Sequence, residues 1–213
     1  GGARTLRELH IEPVVWHANE DHTAFMMLER LRLERVNGAS FEEAIERVRR
    51  CTVFTTHTPV PAGHHIFNLH LMDRYSSNLW KPLGIDRDSF VRLGQYPSLG
   101  SDRFNLTAFA FRLSSRSNAV SKLHGNVTRN MWRVLWSDKS AEEVPILSIT
   151  NGVHLPSWQA PEIRALCQKY ISSDMLEKQD SEEYWGCMDA VPDEVLWQMR
   201  QTLKRRMMLT IQD

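Results

Sequence analysis

Apolar residues recur at helical spacing from Asp21 to Arg35, with Phe25, Leu28 and Leu31 in register and Arg35 beside Val36 one turn on. Before this stretch, "IEPVVW" (11–16) predicts a short buried strand. "NGAS" interrupts the helical rhythm, and Ser40 stands three residues before Glu43. That spacing predicts a capping box opening a second helix from Phe41 to Arg50. "CTVFTT" (51–56) is rich in β-branched residues and predicts a strand, ended by a proline-glycine turn.

Further along, "NLHLMDRYSSNLW" predicts a helix, and residues 81–103 look irregular because they carry Pro82, Gly84, Pro97 and Gly100. "NLTAFAFRLSSRS" predicts a helix that Asn105 can cap. A brief strand from Ala119 to Ser121 then leads into a helix from about His124, and "VPILSIT" predicts another buried strand. The last helix runs from Asp193 to about Gln212, started by Pro192 and Asp193, with Leu196, Met199, Leu203 and Met207 as its stripe. Strands alternating with helices predict an α/β fold with a mostly parallel sheet and flanking helices. After Thr150 the chain turns helical and acid-rich, which predicts a boundary between 1–150 and 151–213. The chain opens "GGARTLREL" without Met and stops inside a helical pattern, so it is expected to be an internal piece of something longer.

Composition narrows the function classes. Twenty-six Lys and Arg balance twenty-six Asp and Glu, so charge argues for neither nucleic acid nor an anionic membrane as partner. No apolar run approaches the roughly 18 residues of a spanning helix. Cys51, Cys167 and Cys187 are odd in number, with no CxxC spacing, which predicts reduced thiols and a cytoplasmic protein.

In an open α/β sheet, ligands gather outside the carboxyl ends of the strands. Three polar clusters fall where such ends are predicted: "HANEDH" (His17 to His22), "TTHTPVPAGH" (Thr55 to His64) and "TNGVH" (Thr150 to His154). Pro59 and Pro61 stiffen the turn after His57, so its groups lose little entropy on binding. On the residues alone, an ordinary rigid surface turn and a held edge for sugar or phosphate both stay open. Glu20, Asp21 and His22 could grip hydroxyls or do acid–base work, or could simply be carboxylates at a helix N-terminus. His17 and His22 are five apart and no HExxH or CxxC occurs, so a metal site built from them with His57, His64 and His65 is only a weak alternative. Lys122, His124, Arg129 and Arg133 read as a phosphate cradle or as a solvated face.

Taken together, "VWHANEDHTAFMMLERLR", "VFTTHTPVPAGHHIF", "NAVSKLHGNVTRNMW" and "ITNGVHLPSW" resemble consecutive signature blocks of the α-glucan phosphorylases, nearest the shorter bacterial and archaeal type. The resemblance spans essentially the whole chain. It implies part of a GT-B glycosyltransferase, whose two Rossmann-like lobes enclose the active site. Residues 1–150 would form the end of the N-terminal glucan-binding lobe, and residues 151–213 the start of the C-terminal lobe. The implied reaction splits terminal α-1,4 linkages of glycogen, starch or maltodextrin with inorganic phosphate and releases glucose 1-phosphate with retained configuration. It also implies a homo-oligomeric parent that uses pyridoxal phosphate, whose Schiff-base lysine is not expected in this chain.

By resemblance, His57 is the active-site histidine whose ring contacts the glucosyl 6-hydroxyl and whose carbonyl faces the developing positive charge. Glu20 and His22 line the glucan site, Asn151 bonds the glucosyl unit, and Trp158 packs near the cofactor. Two positions depart from the pattern. Asp21 stands where this branch usually has glycine, and His65 where an acidic residue is common. Asp21 is accordingly expected to add charge beside the sugar site. The isolated segment is expected not to turn over. A non-catalytic glucan-binding fragment and another GT-B enzyme of glucan-synthase type are the alternatives, the latter lacking its glycine-rich loop here.

Overall fold

Ser40 opens a helix as its spacing to Glu43 predicts. Its Oγ accepts from the Glu43 N–H at 3.1 Å, and the Glu43 carboxylate accepts from the Ser40 N–H at 2.7 Å. The fold, taken from a computed structural model, is described for residues 1–97, 100, 102–172 and 174–212. Two compact units divide the chain, Gly1–Asn151 and Gly152–Asp213.

The first unit contains α1 (Gly2–Glu8), β1 (Trp16–Asn19), α2 (Phe25–Val36), α3 (Phe41–Arg50), β2 (Thr52–Thr56), β3 (Ile66–Asn68), α4 (Leu69–Leu83) and α5 (Arg87–Gly94). It continues through β4 (Arg103–Asn105), α6 (Leu106–Arg112), β5 (Arg116–Ala119), α7 (Lys122–Trp132) and β6 (Ile146–Ser148). Four strands pair in the order β1-β2-β5-β6, and every pairing is parallel. Strands β3 and β4 form a separate antiparallel ribbon. The expected α/β class with a parallel sheet and flanking helices is therefore what the chain adopts.

The core lies between sheet and helices. Phe54 on β2 is fully buried and meets Phe111 of α6 edge-on at 5.0 Å. Trp132, at the end of α7, packs against Phe111 (5.2 Å), Tyr96 (5.1 Å) and His64 (4.8 Å). Burying each such ring contributes about 1.5–3 kcal/mol.

Several elements differ from expectation. The strand predicted at 11–16 begins only at Trp16, and Val14 and Val15 are 85% and 58% exposed. The strand predicted at Ala119–Ser121 lies earlier, over Arg116–Ala119, and overlaps the end of a stretch that reads as helix. Its Ser117 and Asn118 are buried, and Asn118 Oδ1 accepts from the Thr55 hydroxyl at 2.8 Å. Apolar periodicity cannot register a strand whose buried contacts are polar. The stretch 81–103 contains the regular helix α5, capped by Asp86, whose carboxylate accepts from the Ser89 N–H at 2.7 Å. Residues 98, 99 and 101 of that stretch lie outside the described residues. Strand β6 is an outer strand, and its Leu147 is 57% exposed rather than buried.

The second unit is helical: α8 (Leu155–Trp158), α9 (Pro161–Tyr170), α10 (Glu182–Gly186) and α11 (Asp193–Gln212). Cys167, Met175 and Tyr184 form its small core, with Ile163 and Trp185 against them. Helix α11 forms where Pro192 and Asp193 predict it, although Met207 on its stripe is 53% exposed.

Candidate functional site

Because the four sheet strands are parallel, their carboxyl ends share one edge. Beyond those ends the pairing continues for a few residues. The Glu20 N–H donates to the Thr55 carbonyl at 2.9 Å, Ile149 to Ala119 at 2.9 Å, and Asn151 to Val120 at 3.3 Å. Glu20, His57 and Asn151 therefore all follow strand ends on this edge. Only β5 separates the strands that lead into His57 and Asn151, a gap of two strand spacings or roughly 10 Å.

Glu20 and His57 are joined directly. The Glu20 carboxylate accepts from the backbone N–H of His57, and from the Thr58 hydroxyl at 3.1 Å. The ring Nε2 of His57 lies 2.8 Å from Asn19 Oδ1. An amide oxygen only accepts, so Nε2 carries the proton, and in the neutral ring Nδ1 keeps its lone pair. His57 itself is exposed. Glu20 adopts φ 66° and ψ 164°, a backbone region that favours glycine. The residue that clamps the loop is thus held under backbone strain.

Asp21 corrects its expectation. It is only 2% exposed, so its carboxylate does not face the open edge. Its carboxylate accepts from the His65 N–H at 2.9 Å, the His65 ring at 2.6 Å and the Thr107 hydroxyl at 2.7 Å. Burial alone would push this carboxyl up, but these donors outweigh it and hold it below the ordinary carboxylate range. Thr107 has one proton and gives it to a carboxylate, so it must accept from His64, whose Nδ1 is 2.9 Å away. His64 is consequently an Nδ1–H tautomer, and its burial pushes its pKa down despite nearby Asp21 and Glu20.

His22 is exposed on the short 3-10 turn Asp21–Thr23 at the same edge. Trp158 belongs to the second unit and is 82% exposed. It lines a groove of about 510 Å³ with Ala160, Ile163, Leu203 and Arg206, among others, and among the described residues no lysine lines that groove. Arg206 is engaged with Glu162. These residues offer an aromatic face but no covalent anchor, so they do not by themselves fit pyridoxal phosphate.

The phosphate-cradle alternative is not assembled. His124 is buried and accepts from the Val120 N–H, while Arg129 donates to the Ile146 carbonyl and Arg133 to the Lys139 carbonyl. Among the described residues no group of three or more His, Cys, Asp and Glu could hold a metal ion, and no helix is long and apolar enough to cross a membrane. The residues whose part in this network sequence reading missed are Asn19, His64 and Thr107. One signal pointed toward this network: the two departures, Asp21 and His65, are opposite in charge character and bond to each other.

No protein-family model matches the chain. Curated relatives do. A maltodextrin phosphorylase of Thermococcus litoralis is 41% identical over 205 residues, covering 96% of this chain and 24% of the relative. A glycogen phosphorylase of Aquifex aeolicus is 34% identical over 208 residues, covering 98% of the chain and 30% of the relative. A glycogen phosphorylase of Mycobacterium tuberculosis is 38% identical over 218 residues, covering 96% and 24%. The chain spans 24–30% of the length of these relatives.

Proposed function

The chain belongs to the α-glucan phosphorylase family, and from that premise we propose that its first unit supplies one wall of a glucan-binding active site. The observation that carries this reading is the clamp of Glu20 on His57 at the carboxyl edge of the parallel sheet. The whole enzyme would release glucose 1-phosphate from an α-1,4-glucan and inorganic phosphate, in the cytoplasm and as a homo-oligomer. Residues 1–150 would close the N-terminal lobe, and residues 151–213 would begin the C-terminal one.

Each residue then has a stated task. His57, protonated at Nε2 by its bond to Asn19, presents the Nδ1 lone pair to a glucosyl hydroxyl. Its loop is prearranged by Glu20, so the backbone dipole need not reorganise as positive charge develops at the reacting carbon. Asn151 offers an amide donor and acceptor two strands away, and His22 extends the polar edge. Pyridoxal phosphate would be the cofactor of the whole enzyme, held by residues other than these. Trp158 would lie near it, and its covalent attachment is assigned to residues outside this chain.

Calorimetric titration of the chain with maltoheptaose tests the reading. Binding is expected, weakened about tenfold or more by His57→Ala and by Asn151→Ala, as losing one or two polar contacts predicts. No glucose 1-phosphate is expected from the chain alone with maltodextrin and phosphate. Unchanged affinity in both variants would defeat the assignment of the sugar site.

A further inference from the structure

The loop from His57 to His65 is held at both ends by adjacent residues. Its start is bonded to Glu20, through the His57 N–H and the Thr58 hydroxyl. Its end is bonded to Asp21, through the His65 N–H and the His65 ring. Between them the chain turns tightly at Pro61–Gly63, where Gly63 donates to the Val60 carbonyl at 3.1 Å. A Cβ on Gly63 would sit 2.6 Å from Thr58 Cγ2, so start and end of the loop also pack on each other. Glu20 stands at positive φ between β1 and α2, and the two neighbouring carboxylates of Glu20 and Asp21 reach opposite ends of one loop.

We propose that Asp21 is a positioning residue for the sugar site: by fixing the end of the loop at His65, and His64 through Thr107, it fixes where His57 stands. The inference rests on the sugar-site reading given above. It follows from connectivity. A loop with two prolines has few soft dihedrals, so releasing its end lets the start move with it. A buried carboxylate with three donors has no slack of its own, since losing any donor leaves it desolvated and underpaired. Substitution at position 65 can remove the ring bond, whereas the N–H bond is kept by any residue except proline.

The test compares the wild-type chain with Asp21→Ala, Asp21→Asn, His65→Ala and the remote core variant Val48→Ala, the last buried on α3. Amide hydrogen exchange is read residue by residue over 57–65, and maltoheptaose affinity by calorimetry. Asp21→Ala is expected to speed exchange at the His65 and His57 amides by about tenfold or more, the scale of a lost charge-assisted bond, and to weaken sugar binding by a similar factor. His65→Ala keeps the backbone bond and is expected to show a smaller change in both. Asp21→Asn retains an acceptor for the His65 N–H and is expected to recover part of the protection, which serves if the alanine variant does not fold. Val48→Ala is expected to lower the thermal midpoint without altering loop exchange or affinity. The proposal is overturned if Asp21 variants leave loop exchange at the wild-type rate, or if Val48→Ala reproduces their effects. Failure of the wild type to bind maltoheptaose would defeat the sugar-site reading, while loop exchange alone would still decide whether Asp21 holds His57.

Discussion

Replacing Glu20 by alanine and by glycine separates two energies that coincide in one residue. Glu20 stands at φ 66° and ψ 164°, a conformation that costs a non-glycine residue about 1–3 kcal/mol. Its carboxylate also bonds the His57 N–H and the Thr58 hydroxyl. A bond to a charged group contributes about 1.5–3 kcal/mol when well shielded. Glu20 is only half-buried, so water competes and the clamp as a whole is worth about 2 kcal/mol. Glu20→Ala loses the clamp and keeps the strain, and should be destabilised by about that amount. Glu20→Gly loses the clamp but relieves the strain, against about 0.4–1 kcal/mol of added unfolded-chain entropy. The glycine variant should therefore be more stable than the alanine variant by about 1 kcal/mol, the reverse of the usual order. Urea unfolding followed by circular dichroism measures the difference, which corresponds to about 2–4 °C in Tm for a chain of this size. If the alanine variant equals or exceeds the glycine variant, Glu20 is not strained. If alanine is as stable as wild type, the clamp is not holding the loop.

Other perturbations have signs fixed by the structure. At Gly94 an added Cβ would lie 2.5 Å from ring carbons of the fully buried Phe104. Gly94→Ala should thus lower the urea midpoint by the equivalent of about 1–3 kcal/mol, although helix propensity alone would favour alanine. Ser40→Ala should cost about 1 kcal/mol by removing the cap of α3, with a loss of helical ellipticity no larger than one short helix. Glu29 bonds Arg32 and Arg4, which hold its carboxyl at about 2 against an ordinary 4.5. A depressed folded pKa contributes stability that is complete above the unfolded value and is lost as pH falls toward the folded one. Stability should therefore decline between about pH 4.5 and 2, and Glu29→Gln should show a shallower decline than wild type in an acid titration.

The legible parts of the sequence were those whose energy is local. Ser40 with Glu43, and Asn105 before α6, announce their helices because the cap is a bond between residues three apart; the Asn105 carboxamide accepts from the Ala108 N–H at 2.8 Å. Phe54 and its β-branched neighbours marked β2 for a similar reason. Long-range pairing was not legible. Val14 and Val15 have strong strand propensity, yet the strand starts after them, where Trp16 pairs with Thr52. Strand β5 reads as polar because Asn118 meets Thr55 rather than solvent. The carboxylates show the same limit. Position along the chain placed Glu20 and Asp21 side by side at a strand end, but only their partners at 57, 65 and 107 show that one faces the edge and the other the interior.

Mapping amide shifts of the labelled chain during titration with maltoheptaose asks most directly whether this strand edge seats a glucan. Shifts are expected at residues 19–22, 57–65 and around Asn151, with the His57 side chain reporting a new donor at Nδ1. Saturable shifts that bypass this edge, or none at millimolar sugar, would contradict the account.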